Sequence, residues 1–272
     1  MFTGRKVGVR TNNNLLNIYT NATAAYSLRK LKSDYLGSVI RIRRSSDNTE
    51  LNIRFDSNGV LDIASISAFC SNSWGYITTW YDQSGNSNDM IQEIASCQPI
   101  IWNGSIILRG NKPSILNTSG SQFFKLNNPI NLGKNHTFFA VIDFESTGKE
   151  YIGDYGTGHS SSWAFWQTSG EYGSQRSYSN SGVQLSTDRS LFTLTRVTQY
   201  GQSQSLVRNF QNSLQSGVSF NVYNDFWFSN LSGEDQSYGF VGYQQECIIY
   251  SFDMSNVRSL VENNINSYYS IY

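Results

Sequence analysis

The stretch from Val39 to Gln92 constrains the fold more than any other part of the chain. At its centre, Gly75-Tyr76-Ile77-Thr78-Thr79-Trp80-Tyr81-Asp82-Gln83-Ser84-Gly85-Asn86 joins a run of aromatic and β-branched residues to a polar turn. The first group fills a pleated, half-buried surface, and Asp, Ser, Gly and Asn bend the backbone or bond to it. The run therefore reads as a strand ending in a tight loop. Upstream, Val39-Ile40-Arg41-Ile42-Arg43-Arg44 and Thr49-Glu50-Leu51-Asn52-Ile53-Arg54-Phe55 alternate with a period of two across the Ser45-Ser46-Asp47-Asn48 turn. Two such runs predict a hairpin with one buried and one wet face.

The remaining chain extends this all-β reading. Strands are expected at Pro99–Leu108, Ser114–Leu116, Phe123–Leu126, Thr137–Asp143, Tyr151–Gly153 and Trp163–Trp166. Others are expected at Ser190–Val197, Ser205–Asn209, Ser219–Tyr223 and Asp225–Phe228. Phe138-Phe139-Ala140-Val141-Ile142 is a nearly continuous apolar run, suited to a central strand covered on both faces. Helical spacing of apolar residues predicts short helices over Ala22–Leu36, Asp62–Phe69 and Ser255–Tyr269. A sandwich of this cadence accommodates 272 residues as one domain, residues 21–272. Residues 1–20 are expected to be an N-terminal arm or edge strand and a possible attachment segment.

Twenty acidic residues balance twenty basic ones, so no global field steers the chain to nucleic acid or an anionic membrane. The basic N-terminus lacks an apolar segment after it, which reads as no secretory signal. The three cysteines, Cys70, Cys97 and Cys247, show no metal spacing and read as buried thiols. No cofactor or metal is implied, although the oxygen-rich loop Asp82–Asp89 is a conceivable calcium turn.

Three segments in order, Ala24-Ala25-Tyr26-Ser27-Leu28-Arg29, Ile42–Glu50 and Trp80–Asn86, resemble a recurring series. It is similar to the core of α-L-arabinofuranosidase-type catalytic domains and of related modules in bacteriophage structural proteins, all concanavalin A-like jelly-roll β-sandwiches. The resemblance is strong over about 22–115, moderate over 225–272 and loose between. It implies a nucleophilic Glu in an Asp-Tyr-Gly-type turn and an acid/base Asp in a Gly-Gly-Asp turn. Here the first turn resembles Asp154-Tyr155-Gly156-Thr157-Gly158-His159, which places His159 or its neighbour where the Glu is expected. The second resembles Gly233-Glu234-Asp235, which matches Asp235 to the acid/base. Double displacement needs two carboxyl groups about 5 Å apart, so the missing partner reads as an inactive site unless Glu145, Glu150 or Glu171 supplies it.

A carbohydrate-binding surface is the competing expectation. The segment Gly156–Tyr178 collects His159, Trp163, Trp166, Tyr172 and Arg176, and with Asp154, Tyr155, Glu234 and Asp235 these are the candidate ligand-binding residues. Three-residue spacing keeps Trp163 and Trp166 off a common strand face. Asp82 reads as a turn cap, and Arg41, Arg43 and Arg44 as the wet face of a strand. Together with the phage resemblance, this predicts a non-catalytic virion structural protein, a head or tail fibre or decoration, recognising host carbohydrate. Its expected partners are capsid or tail proteins reached through the N-terminal region, within a trimeric or dimeric homo-oligomer. Its expected location is the virion surface, after synthesis in the host cytoplasm. The alternative is an α-L-arabinofuranosidase-like glycoside hydrolase, active or degenerate.

Overall fold

Alternation in three neighbouring strands organises the core. His136–Phe144, Gly242–Tyr250 and Ala24–Ser27 lie side by side and antiparallel. Phe138, Ile142, Cys247, Ile249, Ala24 and Tyr26 face one apolar cluster, and Phe139, Val141, Ile248, Tyr250 and Ala25 face a second. Successive side chains point to opposite faces, so a continuous apolar run is what a strand buried on both sides requires. The run Phe138–Ile142 is such a strand.

The computed structural model describes residues 14–272 apart from 129, 131, 133–134, 146–149, 156–162, 169–170, 176–182, 185–189, 198–202, 209–210, 217–225 and 229–239. Within 150–228 it describes strand paths and pairing, with the side chain of Leu191. One layer runs from Ala24–Ser27 and Ile115–Asn117, both against Gly242–Tyr250, through His136–Phe144, Ser190–Val197, Ser203–Arg208 and Gln211–Ser216. The other runs from Glu50–Ile53 through Ile40–Arg44, Gly75–Trp80, Met90–Ile91, Phe124–Leu126 and Phe226–Phe228 to Glu150–Tyr155, Trp163–Thr168, Glu171–Gln175 and Val183–Gln184. Ile100–Trp102 pairs with both layers and joins them. Between the layers, Trp80 lies 5.8 Å from Tyr26 and 6.0 Å from Phe124, ring centre to ring centre. The architecture is a β-sandwich with a few short helices, including a C-terminal one.

Arg258–Tyr269 is that helix, and it lays Val261, Ile265 and Tyr269 on the outer cluster. Ile63–Cys70 forms where expected because Asp62 caps it, its Oδ1 accepting from Ser65 N at 3.0 Å. Three local expectations are corrected. Ala22–Leu36 holds no helix; Ala24–Ser27 is a strand buried along its whole length, because pairing with Gly242–Tyr250 outweighs helical spacing. Pro99–Leu108 divides into Ile100–Trp102 and a separate pair of strands at Leu108–Arg109 and Lys112–Pro113, with Gly104 turning the chain at φ +102°. Leu15–Ile18 is a short helix whose Leu15 and Leu16 are buried in the outer cluster, so this part of the expected arm packs into the body. The strand expected at Ser219–Tyr223 lies outside the described residues.

Candidate functional site

The polar turn after Trp80 stitches the frame together. Asp82 is 4% exposed. Its Oδ1 accepts from Ala25 N and Ser84 N, both at 2.8 Å, and its Oδ2 from Ser84 Oγ at 2.6 Å and Asn88 N at 3.1 Å. Gln83 Nε2 donates to the carbonyls of Ser27 (2.8 Å) and Arg29 (3.1 Å), while its Oε1 accepts from Leu31 N at 2.8 Å. Asn86 and Asn88 donate to the carbonyls of Ala22 and Thr23. Every polar side chain in this group satisfies backbone that the sheet leaves open. Asp89 accepts from Asp82 N at 2.9 Å. Burial pushes the Asp89 carboxyl above its usual value, that hydrogen bond opposes the shift, and the charge of Asp82 adds to it.

The candidate ligand residues divide between two ends of one hairpin. Asp154 and Tyr155 end the strand Glu150–Tyr155, opposite Ala164 and Trp163 on one side and Trp227 and Phe226 on the other. Trp166 stands opposite Tyr151 and Gly173, and Tyr172 opposite Gln167, toward the far end. Glu150 pairs with Gln167 and Glu171 with Thr168, also at the far end. Five residue steps at ~3.3 Å put the two ends about 16 Å apart. The backbone thus gathers Asp154, Tyr155 and Trp163, and separates them from Glu150 and Glu171. His159, Arg176, Glu234 and Asp235 lie outside the described residues. Within Gly156–Tyr178, read from sequence as a carbohydrate-binding surface, the strand expected at Trp163–Trp166 runs over Trp163–Thr168, and Glu171–Gln175 is a further strand.

Two charged groups escaped the sequence reading. Arg109 Nε donates to the buried carboxylate of Asp143, and its guanidinium lies 4.9 Å from the Tyr243 ring centre. That hydrogen bond raises the Arg109 pKa. Burial first, then the charge of Glu145, raises the Tyr243 hydroxyl. Glu145, one of the expected replacement carboxylates, is therefore an exposed neighbour of Tyr243 and Arg109. The second group is a buried ion pair on the outer face of the first layer, beneath the C-terminal helix. Glu246 accepts from Arg29 Nε at 2.7 Å and Nη2 at 2.9 Å, and also from Ser27 and Tyr269 hydroxyls. Its members are more than 200 residues apart, so no local pattern announces them. Among the described residues, no group of three or more His, Cys, Asp or Glu is placed to hold a metal ion.

Residues 17–106 match the family model for the catalytic domain of alpha-L-arabinofuranosidase B. Over 75 residues, 27% of this chain, the sequence is 43% identical to alpha-L-arabinofuranosidase B of Emericella nidulans and 39% identical to that of Aspergillus niger. The matched part is 15% of each relative's length. A GH54 α-L-arabinofuranosidase soaked with a cyclic sulfate inhibitor superposes with a TM-score of 0.68 at 17% identity, over 90% of this chain and 62% of that one. An arabinofuranosidase complexed with arabinofuranosyl-α-1,2-xylobiose gives 0.66 at 17%, over 93% and 64%. The chain has the β-sandwich fold of these arabinofuranosidases, and its residues 17–106 are similar in sequence to their catalytic domain. These findings overturn the non-catalytic virion reading, with its bacteriophage, fibre and host-adhesion roles and its virion-surface location: the matching proteins are arabinofuranosidases. The features behind that reading, a neutral, amide-rich surface and a polar N-terminal segment, suit a carbohydrate-handling sandwich equally well, and Leu15 and Leu16 are packed into the body.

Proposed function

We propose that this chain is a glycoside hydrolase domain of arabinofuranosidase type, acting on α-L-arabinofuranosyl groups. The observation that carries the reading is the match of residues 17–106 to the arabinofuranosidase B catalytic family, reinforced by structural similarity over nine-tenths of the chain. The chain spans less than two thirds of the solved arabinofuranosidases it resembles.

In this reading Asp235 protonates the leaving glycosidic oxygen as general acid. Asp154, Tyr155 and Trp163, neighbours at one end of the second layer, bind the sugar. His159 or its neighbour stands where the family resemblance expects a carboxylate nucleophile, and the reading takes His159. An imidazole can accept a proton but forms no glycosyl ester, so the reading predicts slow turnover with a single competent carboxyl group. The test is release of 4-nitrophenol from 4-nitrophenyl α-L-arabinofuranoside. Turnover that falls by a factor on the order of 10² to 10⁴ in Asp235→Asn supports the assignment. Turnover unchanged in a folded Asp235→Asn protein removes it.

A further inference from the structure

The outer face of the strands Glu50–Ile53, Ile40–Arg44 and Gly75–Trp80 carries an immobilised aromatic pair. Ile40 and Ile42 enter the core, so Arg41 and Arg43 face outward, and Arg43 stands opposite Tyr76. Trp74, immediately before this strand, is 46% exposed. Its ring stacks on Tyr76 with centres 6.2 Å apart and planes 27° apart, and the Arg43 guanidinium lies 4.9 Å from the Tyr76 centre.

The platform is held rigidly. Ser45 N donates to Trp74 O at 2.9 Å, and Trp74 N donates to Ser45 Oγ at 3.0 Å. The next residue must be glycine, because a Cβ on Gly75 would sit 2.7 Å from Cys70 Sγ and 3.1 Å from Trp102 Cβ. Arg43 is fixed in turn by Gln98 Oε1 at 2.7 Å and Asn48 Oδ1 at 2.8 Å. A side chain already ordered loses little entropy when it binds.

The surroundings select the ligand class. Arg41 on this face pairs with Glu50, and the side-chain amides of Gln98 and Asn48 and the Ser45 hydroxyl border the rings. A protein hot spot needs a desolvated apolar centre, whereas here polar groups lie one strand step away. A flat ring beside hydrogen-bonding groups matches the alternating C–H face and hydroxyl rim of a sugar chain. Four strand steps in the sheet separate Gly75–Trp80 from Glu150–Tyr155, about 19 Å at ~4.8 Å each. We propose that Trp74 and Tyr76 form a second polysaccharide-binding platform, separate from the sugar-cleaving region, that holds the backbone of an arabinofuranosyl-decorated chain.

The proposal rests on the hydrolase reading only for the choice of polysaccharide. Retardation in native gels containing soluble arabinoxylan reads binding, and hydrolysis of 4-nitrophenyl α-L-arabinofuranoside independently reads the cleaving region. Trp74→Ala is expected to weaken arabinoxylan binding about tenfold, with small-substrate turnover and melting temperature unchanged. Trp74→Tyr keeps most of the binding, and Ile94→Ala, an exposed aliphatic control, keeps all of it. Equal retardation of wild type and a folded Trp74→Ala protein, or no retardation of wild type, overturns the platform whatever the hydrolysis assay shows. Loss of binding in Trp74→Ala together with the Ile94 control also overturns it.

Discussion

Truncating Asp82 to alanine separates a structural role for the polar turn from a catalytic one. The carboxylate accepts four hydrogen bonds, and its partner Ala25 N belongs to a strand buried on every residue. An orphaned buried amide costs about 1–3 kcal/mol. The other three donors lie at the part-buried rim and recover water in part, adding roughly 0.5–1 kcal/mol each. Asp82→Ala should therefore lose roughly 3–5 kcal/mol, which at about 2–4 °C per kcal/mol for a domain of this size is a fall of roughly 6–20 °C. Asp82→Asn keeps the Oδ1 acceptor for Ala25 and Ser84 but presents an NH₂ to Asn88 N, and should lose only about 1–2 kcal/mol. Denaturant unfolding measures both, and arabinofuranoside turnover per folded molecule measures function. A stable Asp82→Asn protein without turnover would show that the turn belongs to the chemistry. A loss below about 1 kcal/mol in Asp82→Ala would show that the bonds counted here contribute little.

Other predictions concern buried charge. Glu246→Gln leaves the buried Arg29 guanidinium beneath the C-terminal helix without its counter-charge, and unfolding free energy should drop by about 3–5 kcal/mol; a drop under about 1 kcal/mol refutes the pairing as a structural element. Asp89 has its carboxyl pKa raised by burial, so its protonated form is favoured in the folded chain. Its contribution to stability is complete below the ordinary carboxylate range and is lost as pH rises through the raised value. Asp89→Asn keeps an acceptor for Asp82 N and should raise the melting temperature at pH 7, with the gain vanishing in acid. A gain that instead grows as pH falls has the wrong sign for this account.

The legible parts of the sequence were those where local pattern and tertiary environment agree. Ile40–Arg44 and Gly75–Trp80 alternate because one face is core, and Asp62 announces its helix because a cap is a local bond. Ala22–Leu36 failed because Ala25, Leu28 and Leu31 share helical spacing only by coincidence. Ala24 and Ala25 face different apolar clusters, an arrangement set by a strand more than 200 residues away. The site was harder still. Trp80–Asn86, the most recognisable motif, proves to bond backbone, so it marks the frame rather than the chemistry. The residues with functional types sit in a hairpin whose register, not its composition, decides that Asp154 and Trp163 are neighbours while Glu150 and Glu171 are remote. Trp74 has no local pattern that separates a surface tryptophan from a core one, and only its exposure does so.

The account turns on whether this sandwich cleaves an arabinofuranosyl bond with Asp235 and is held back by histidine at position 159. Release of arabinose from arabinofuranosyl-α-1,2-xylobiose should be slow in wild type, lower still in Asp235→Asn, and higher in His159→Glu by a factor on the order of 10². No release from either wild type or a folded His159→Glu protein would contradict it.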